Sequence, residues 1–248
     1  ISNMKIYLIY DFLTESGGLE RLMANHSSML IEEGFDVEIL TYHYDEEVIK
    51  RTGLSNITIK NISIIKTNYE FINIFSSIFF SSLGLYNLKD DNVFFITYSF
   101  PANFLIRNKK TKKINFMNHY PNFLYLKGKE KIMWAVSTKG IKRLAVIISS
   151  WFLGPYFREL DKKLVKKSNL NFANSKFTKR KLDKLYNVNC IVSYPPVSKV
   201  FKPSQVKIKE KFILAAGRVI PDKKYDWLIE SCSYMKNKLP LYISGDGN

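Results

Sequence analysis

Two cations follow an apolar run near the end of the sequence. The run Phe212–Ala216 is typical of a buried strand, and Gly217, Arg218 and Lys223 lie in the loop before the next predicted helix. A helix N-terminus favours anions through its free backbone N–H groups and its dipole. A guanidinium and an ammonium added there can stabilise a diphosphate that gains charge as a bond to it breaks. The pattern predicts leaving-group chemistry; two solvated surface cations beside a turn are the alternative.

Paired glycines precede the first predicted helix. Gly17 and Gly18 let the backbone approach a ligand closely, and Glu20 and Arg21 follow them in the first helical turn. A simple tight turn is the alternative. The sequence has no G-x-G-x-x-G, which counts against a dinucleotide oxidoreductase, and no G-x-x-x-x-G-K-[ST], which excludes a standard P-loop.

Candidate ligand-binding residues also follow three other predicted strands. His119 ends an apolar strand, and ligands of open parallel sheets bind beyond the carboxyl ends of strands, although a structural histidine is the alternative. Asn174 and Ser175 follow the next strand, and Ser175 is predicted to cap a helix that runs to Tyr186. Gly245 lies in the turn after the last strand. Each position is a candidate for ligand binding.

Metal chemistry is not predicted. The three histidines, His26, His43 and His119, lack the spacing of metal ligands, and the sequence contains no Asp-x-Asp. Cys190 and Cys232 form no CxxC pair, so we interpret both as reduced thiols. No secretory signal opens the sequence. These features predict no metal and a cytoplasmic location.

The elements that position these residues alternate between strand and helix. The predicted helices are Leu19–Glu33 and a segment near Tyr225–Lys236, and the predicted strands are Lys5–Tyr10, Asp36–Tyr42, Asn92–Thr97, Lys113–Asn118, Asn169–Asn174, Asn189–Ser193, Phe212–Ala216 and Leu239–Ser244. Such alternation predicts a parallel sheet with helices on both faces, that is, an α/β, Rossmann-like fold.

The prolines at 195–196 and 203 break this pattern. We predict a complete Rossmann-like domain over residues 1–194, an inter-domain linker over 195–210 and the start of a second domain over 211–248. A single βαβ unit cannot complete a doubly wound sheet. We therefore expect the second domain to be cut short.

The net charge is +16, and much of it is clustered around Lys109–Lys113, Lys162–Lys167 and Lys176–Lys181. Solvated helix faces are one interpretation, and attraction to an anionic membrane surface is the other. Nucleic acid is not favoured, because no RRM, KH, zinc-finger or helix-turn-helix pattern accompanies the charge. The aromatic segment Ile132–Phe157 predicts either a buried helix or an amphipathic helix that inserts at a membrane surface.

The site segments resemble, in the same order along the chain, the motifs of GT-B glycosyltransferases of the large retaining group called family 4. The matching runs are Gly17-Gly18-Leu19-Glu20-Arg21, Asn118-His119-Tyr120-Pro121, Ala173-Asn174-Ser175-Lys176-Phe177-Thr178, Tyr194-Pro195-Pro196-Val197 and Gly217-Arg218 with Lys223. Lys224 stands where the family usually has a glycine, whereas Lys223 keeps the family spacing. The run at His119 is similar to one in mannosyltransferases that build lipid-linked oligosaccharides.

The resemblance implies a GT-B fold and a retaining, metal-independent transfer of a hexose to a glycan or polyprenyl-linked acceptor. Mannose from GDP-mannose is favoured over a UDP-sugar, and no cofactor other than this donor is implied. Arg218 and Lys223 would stabilise the departing nucleoside diphosphate, and His119 would orient the donor sugar. The residues that would bind substrate or phosphate are Gly17, Gly18, Glu20, Asn174, Ser175, Gly217 and Gly245.

Family members also carry an E-x₇-E segment beyond the motif lysine, and the sequence has no such pair after Lys223. We therefore expect the chain to be inactive by itself. Two other classes remain open: a non-catalytic half GT-B protein that binds a sugar or a membrane surface, and a basic Rossmann-like nucleic-acid binder. Transfer or hydrolysis of a nucleotide sugar by this chain would exclude the first of them. Binding of nucleic acid with a steep salt dependence would support the second.

Overall fold

The computed structural model describes residues 4–14, 17–63, 65, 67, 92–98, 100–130, 153–197, 211–219 and 223–245. Most of the aromatic segment 132–157 and of the predicted linker 195–210 lies outside the described residues. The chain divides into two compact units, Ile1–Pro196 and Val197–Asn248.

The first unit alternates strands and helices. Its strands are β1 (Lys5–Ile9), β2 (Phe12–Leu13), β3 (Asp36–Thr41), β4 (His43–Tyr44), β5 (Thr58–Asn61), β6 (Val93–Tyr98), β7 (Lys113–Met117), β8 (Leu170–Ala173) and β9 (Ile191–Val192). Its helices are α1 (Gly18–Glu32), α2 (Glu46–Thr52), α3 (Ala102–Leu105), α4 (Asn122–Tyr125), α5 (Gly154–Lys167) and α6 (Lys176–Tyr186). The second unit consists of β10 (Ile213–Ala216), α7 (Tyr225–Ser233) and β11 (Leu241–Ser244).

The predicted elements agree with these bounds to within one or two residues, except that α7 ends three residues earlier than predicted. At the end of α7 the hydroxyls of Ser231 and Ser233 donate to the carbonyls of Trp227 and Glu230. Such bonds to nearby backbone make serine a weaker helix former, consistent with its position in the last turn of α7.

Seven strands form one sheet in the order β5-β3-β1-β6-β7-β8-β9, and every neighbouring pair is parallel. The predicted α/β, Rossmann-like fold is confirmed. Because all strands run in one direction, the segments that follow β1, β7 and β8 leave the sheet at the same edge. In the second unit, β10 and β11 are also parallel.

Apolar side chains cover both faces of the central strands. Leu8 and Ile39 pack on the face covered by α1, and Ile9, Leu40 and Phe95 pack on the other face; all five are 0% exposed. Continuous apolar runs are typical of strands buried on both faces, which explains why these strands were predictable.

A row of three hydrogen-bonded polar side chains, one each from β6, β7 and β8, crosses the sheet. The Thr97 hydroxyl donates to Asn115 Oδ1 (3.1 Å), and Asn115 Nδ2 donates to Asn171 Oδ1 (3.5 Å). Asn171 Nδ2 in turn donates to the Val165 carbonyl of α5 (3.0 Å). All three side chains are buried, and a slip of one residue would move each to the opposite face. The row therefore fixes the register of these strands.

Replacing Asn115 with alanine is expected to destabilise the first unit by roughly 1–2 kcal/mol, because Asn171 Oδ1 loses its donor in a buried site. Chemical denaturation gives the free energy of unfolding. The exposed Asn56→Ala is the control and should change it little. Equal stability of the two variants would contradict a register role for the row.

Among the described residues, no helix combines the length and apolarity needed to cross a membrane.

Candidate functional site

A cleft of about 190 Å³ lies between the segment that follows β7 and the first turns of α6. Its lining residues are Asn118, His119, Tyr120, Asn122, Phe177, Thr178, Lys181 and Leu182. Two of the segments predicted from sequence, one with His119 and one just after Asn174 and Ser175, are thus brought together at the carboxyl edge of the sheet.

His119 is exposed in this cleft, and its Nδ1 lies 2.8 Å from the Tyr120 carbonyl oxygen. A carbonyl can only accept, so Nδ1 carries the proton of this hydrogen bond. In the neutral imidazole, Nε2 is then left as an acceptor. The local backbone therefore prepares His119 to accept a hydrogen bond from a ligand hydroxyl.

The start of α6 follows the predicted pattern. The Ser175 hydroxyl accepts the backbone N–H of Thr178 (3.1 Å), which confirms the predicted N-cap. Asn174 and Ser175 are half-buried, and Phe177 and Thr178 reach the cleft. Lys181 Nζ lies 4.4 Å from the centre of the Phe177 ring, so a cation stands at the cleft wall.

A buried carboxylate anchors the segment after His119. The hydroxyls of Tyr125 (2.8 Å) and Tyr186 (2.7 Å) both donate to Asp161 Oδ2, which joins α4, α5 and α6. Burial raises the pKa of Asp161, although hydrogen bonds from Tyr186, Tyr125 and Asn103 oppose the shift. Sequence reasoning missed Asp161, since nothing in its neighbours along the chain distinguishes it from other helical aspartates.

Asp161 is expected to give a distinctive pH dependence of stability. Its folded-state pKa is raised, so the folded protein takes up a proton before the unfolded chain does. As the pH falls from neutral toward the ordinary carboxyl value of 3.8, the wild type should gain stability relative to Asp161→Asn. Thermal unfolding of both proteins across this range measures the difference.

Asp183 provides a control of opposite sign. Burial disfavours its charge, but the Lys179 ammonium and the Cys190 N–H, both 2.7 Å away, hold its pKa below the ordinary value. The wild type should therefore lose stability relative to Asp183→Asn as the pH falls below the ordinary carboxyl value of 3.8. If both pairs of proteins changed in the same direction, the assignment of Asp161 would be wrong.

The paired glycines start α1. Gly17 N–H donates to Glu20 Oε2 (3.1 Å), and Glu20 is buried. The carboxylate thus caps the helix by reaching back to Gly17, the N-cap residue just before it. Gly18 is exposed, and none of the described residues that line the cleft comes from this segment.

In the second unit, two glycines meet at the ends of β10 and β11. Gly217 N–H donates to the Ser244 carbonyl (2.9 Å), and the Tyr225 hydroxyl donates to the Gly217 carbonyl (3.0 Å). A Cβ placed on Gly245 would lie 1.9 Å from the Gly217 oxygen. Gly217 and Gly245 have φ values of +150° and +153°, which only glycine adopts readily. Both positions therefore require glycine, because the two chain segments cross too closely to leave room for a side chain.

The cations of this unit take different directions. Lys223 Cε lies 3.9 Å from the position a Cβ on Gly217 would occupy, so its side chain runs beside the glycine. Lys224 instead places its ammonium 5.6 Å from the centre of the Trp227 ring. Arg218 is exposed, and its backbone nitrogen is 3.5 Å from the Cβ position of Gly245. The ends of β10 and β11 thus bring together four of the predicted site residues: Gly217, Arg218, Lys223 and Gly245.

Within the described part of the chain, no three His, Cys, Asp or Glu side chains are grouped as metal ligands would be.

No protein-family model matches the sequence, and no curated protein matches it either. Solved structures do. The apo form of the lipopolysaccharide outer core galactosyltransferase WaaB matches with a TM-score of 0.56 and 18% identity over 99% of this chain. TarM matches with a TM-score of 0.65 and 13% identity over 100% of it, and an alpha-glucosyltransferase in complex with UDP with 0.52 and 12% over 99%. The chain shares their fold. It spans 62%, 72% and 59% of their respective lengths.

Proposed function

We propose that this chain belongs to a glycosyltransferase that transfers a hexose from a nucleotide sugar to a glycan or lipid-linked acceptor. The observation that carries the proposal is the bare backbone at Gly217 and Gly245, beside which Arg218 and Lys223 lie. Phosphate oxygens are bound by charge-assisted donors, and Arg218 and Lys223 supply two such donors at this place. The galactosyltransferase WaaB and the alpha-glucosyltransferase, which have the same fold, support it.

The leaving group defines the role of each cation. Breaking the bond between the sugar and the diphosphate leaves additional negative charge on the diphosphate. Arg218 and Lys223 would stabilise that charge as it develops, which lowers the barrier more than it tightens ground-state binding. The direction of the Lys223 side chain supports this lysine, and not Lys224, as the phosphate ligand.

In the first unit, His119 would orient the transferred sugar through Nε2, while its Nδ1 is held by the Tyr120 carbonyl. Asn174 and Ser175 would position the start of α6 at the same cleft. Gly17 and Gly18 would shape the acceptor and phosphate side, with Glu20 holding the helix start.

Family 4 membership, retention of configuration and independence of metal ions are part of the proposal and rest on the sequence resemblance. That resemblance favours GDP-mannose as donor, whereas the alpha-glucosyltransferase with the same fold was solved with UDP. We propose a cytoplasmic enzyme that works at the cytoplasmic face of a membrane when its acceptor is polyprenyl-linked.

We propose that these residues bind the diphosphate of a donor and do not turn the donor over by themselves. In family 4 the glutamates of an E-x₇-E segment hold the sugar and ribose of the donor, whereas Arg218 and Lys223 would hold only its diphosphate.

Calorimetric titration tests the proposal. The chain should bind UDP or GDP more tightly than the corresponding monophosphate, because the proposed site holds two phosphates. Comparison of the affinities for UDP and GDP shows which base the donor carries. A nucleoside without phosphate is the control. Equal affinity for diphosphate, monophosphate and nucleoside would contradict the proposed function.

A further inference from the structure

The helices α5 and α6 lie side by side on one face of the sheet. Val165 of α5 packs with Leu182 and Tyr186 of α6 in one core cluster, and Asp161 accepts the Tyr186 hydroxyl. Their outward residues therefore form one continuous surface, which we call the basic face. Its exposed residues are Pro155, Tyr156, Glu159, Lys163, Lys166 and Lys167 from α5 and Lys176, Phe177, Arg180, Lys181 and Lys184 from α6.

The charge of the basic face is almost wholly of one sign. Seven of its eleven residues are cations, and its one anion, Glu159, is 3.1 Å from the Lys162 ammonium. The acidic residues nearest to it in sequence are also engaged: Asp161 is buried, and Asp183 pairs with Lys179. Like charges on neighbouring turns repel one another, so the face costs stability unless an anionic partner covers it.

We propose that the basic face binds an anionic lipid bilayer. Six of the seven cations are lysines, whose compact ammonium groups suit the diffuse charge of a lipid surface, whereas bidentate phosphate recognition favours arginine. Two aromatic side chains, Tyr156 (67% exposed) and Phe177 (59% exposed), stand among the lysines. Aromatic rings of this kind settle at the level of lipid head groups, so both the charge and the rings fit a bilayer.

The basic face adjoins the cleft that contains His119, because Phe177 and Lys181 belong to both. A bilayer bound to the basic face would therefore hold a lipid-linked acceptor near this cleft. This last step rests on the proposed function, whereas binding of the bilayer does not.

Sedimentation with lipid vesicles tests the proposal. The chain should bind phosphatidylcholine vesicles that contain phosphatidylglycerol and not vesicles of phosphatidylcholine alone, and binding should weaken as salt is added. Replacing Lys163, Arg180 and Lys184 with glutamine should lower the partition coefficient about fivefold per cation, or about 100-fold in total. None of these three residues lines the cleft.

The matched control removes the same charge elsewhere. Lys50, Lys236 and Lys238 are exposed and lie outside the basic face, and their triple replacement with glutamine should leave vesicle binding within about twofold of wild type. Circular dichroism verifies that both triple variants fold. Adding Tyr156→Ser to the triple variant of the basic face should weaken vesicle binding further.

Three results would overturn the proposal: no preference for anionic vesicles, equal losses in the two triple variants, or displacement of the chain from vesicles by duplex DNA at equal phosphate concentration. The vesicle assay contains no nucleotide sugar, so a failed nucleotide titration would not contradict binding of the bilayer by the basic face. Conversely, loss of vesicle binding alone would not contradict the proposed donor site.

Discussion

Replacing Arg218 with alanine is expected to weaken binding of a nucleoside diphosphate by about 10- to 100-fold. Arg218 follows Gly217 directly, and its backbone nitrogen lies 3.5 Å from the position that a Cβ on Gly245 would occupy. Charge-assisted hydrogen bonds are the strongest that an exposed loop can offer, and losing one explains the size of the effect. Calorimetry on the folded variant measures it.

Lys223→Ala and Lys224→Ala form a matched pair for the same experiment. The two lysines are adjacent and exposed, but only Lys223 runs beside Gly217, whereas Lys224 lies over Trp227. Lys223→Ala should lose affinity as Arg218→Ala does, and Lys224→Ala should retain most of it. Equal losses for both lysines would mean that the unit attracts nucleotides by general charge, and the assigned phosphate site would be wrong.

Gly245→Val is expected to destabilise the second unit by roughly 3–5 kcal/mol. A Cβ at this position would overlap the Gly217 carbonyl oxygen, which is a backbone atom that the bond from Tyr225 holds in place. The φ of +153° adds strain for any residue other than glycine. Amide hydrogen exchange at β10 and β11 measures the change, and exchange at β1 serves as the internal reference.

Gly34→Ala measures the cost of a side chain at a positive φ without any steric overlap. Gly34 also has a positive φ, of +86°, but a Cβ there meets nothing within 4 Å. This variant should cost only about 1 kcal/mol. A cost for Gly245→Val no larger than that of Gly34→Ala would show that the two segments can separate, and that the glycines are not required by their crossing.

The central strands were predictable because each combines an apolar run with burial on both faces. β1, β3 and β6 contain residues such as Leu8, Ile39 and Phe95, all fully buried. The short elements α2 and β5 were not predicted. Their sequences, Glu46–Thr52 and Thr58–Asn61, are largely polar, and β5 is ordered by its pairing with β3, which local sequence does not encode.

The candidate site was predictable where it depends on local chemistry. Ser175 caps α6 through a hydrogen bond to a residue three positions later, which is a local pattern. The contribution of Phe177 and Lys181 to the cleft was not predictable, because it depends on the adjacency of β7 and β8. The roles of Asp161 and of the basic face likewise depend on how α5 and α6 pack.

The buried row of Thr97, Asn115 and Asn171 has a consequence beyond stability. The row holds Met117 opposite Ala173, so the chain leaves β7 and β8 at the same height, and His119 and Ser175 each follow two residues later. Their spacing is thus set inside the sheet and not by the loops. Insertions or substitutions after residue 119 would change the shape of the cleft, while the strand ends that carry His119 and Ser175 keep their relative positions. The lining of the cleft can therefore vary without a change in the sheet that supports it.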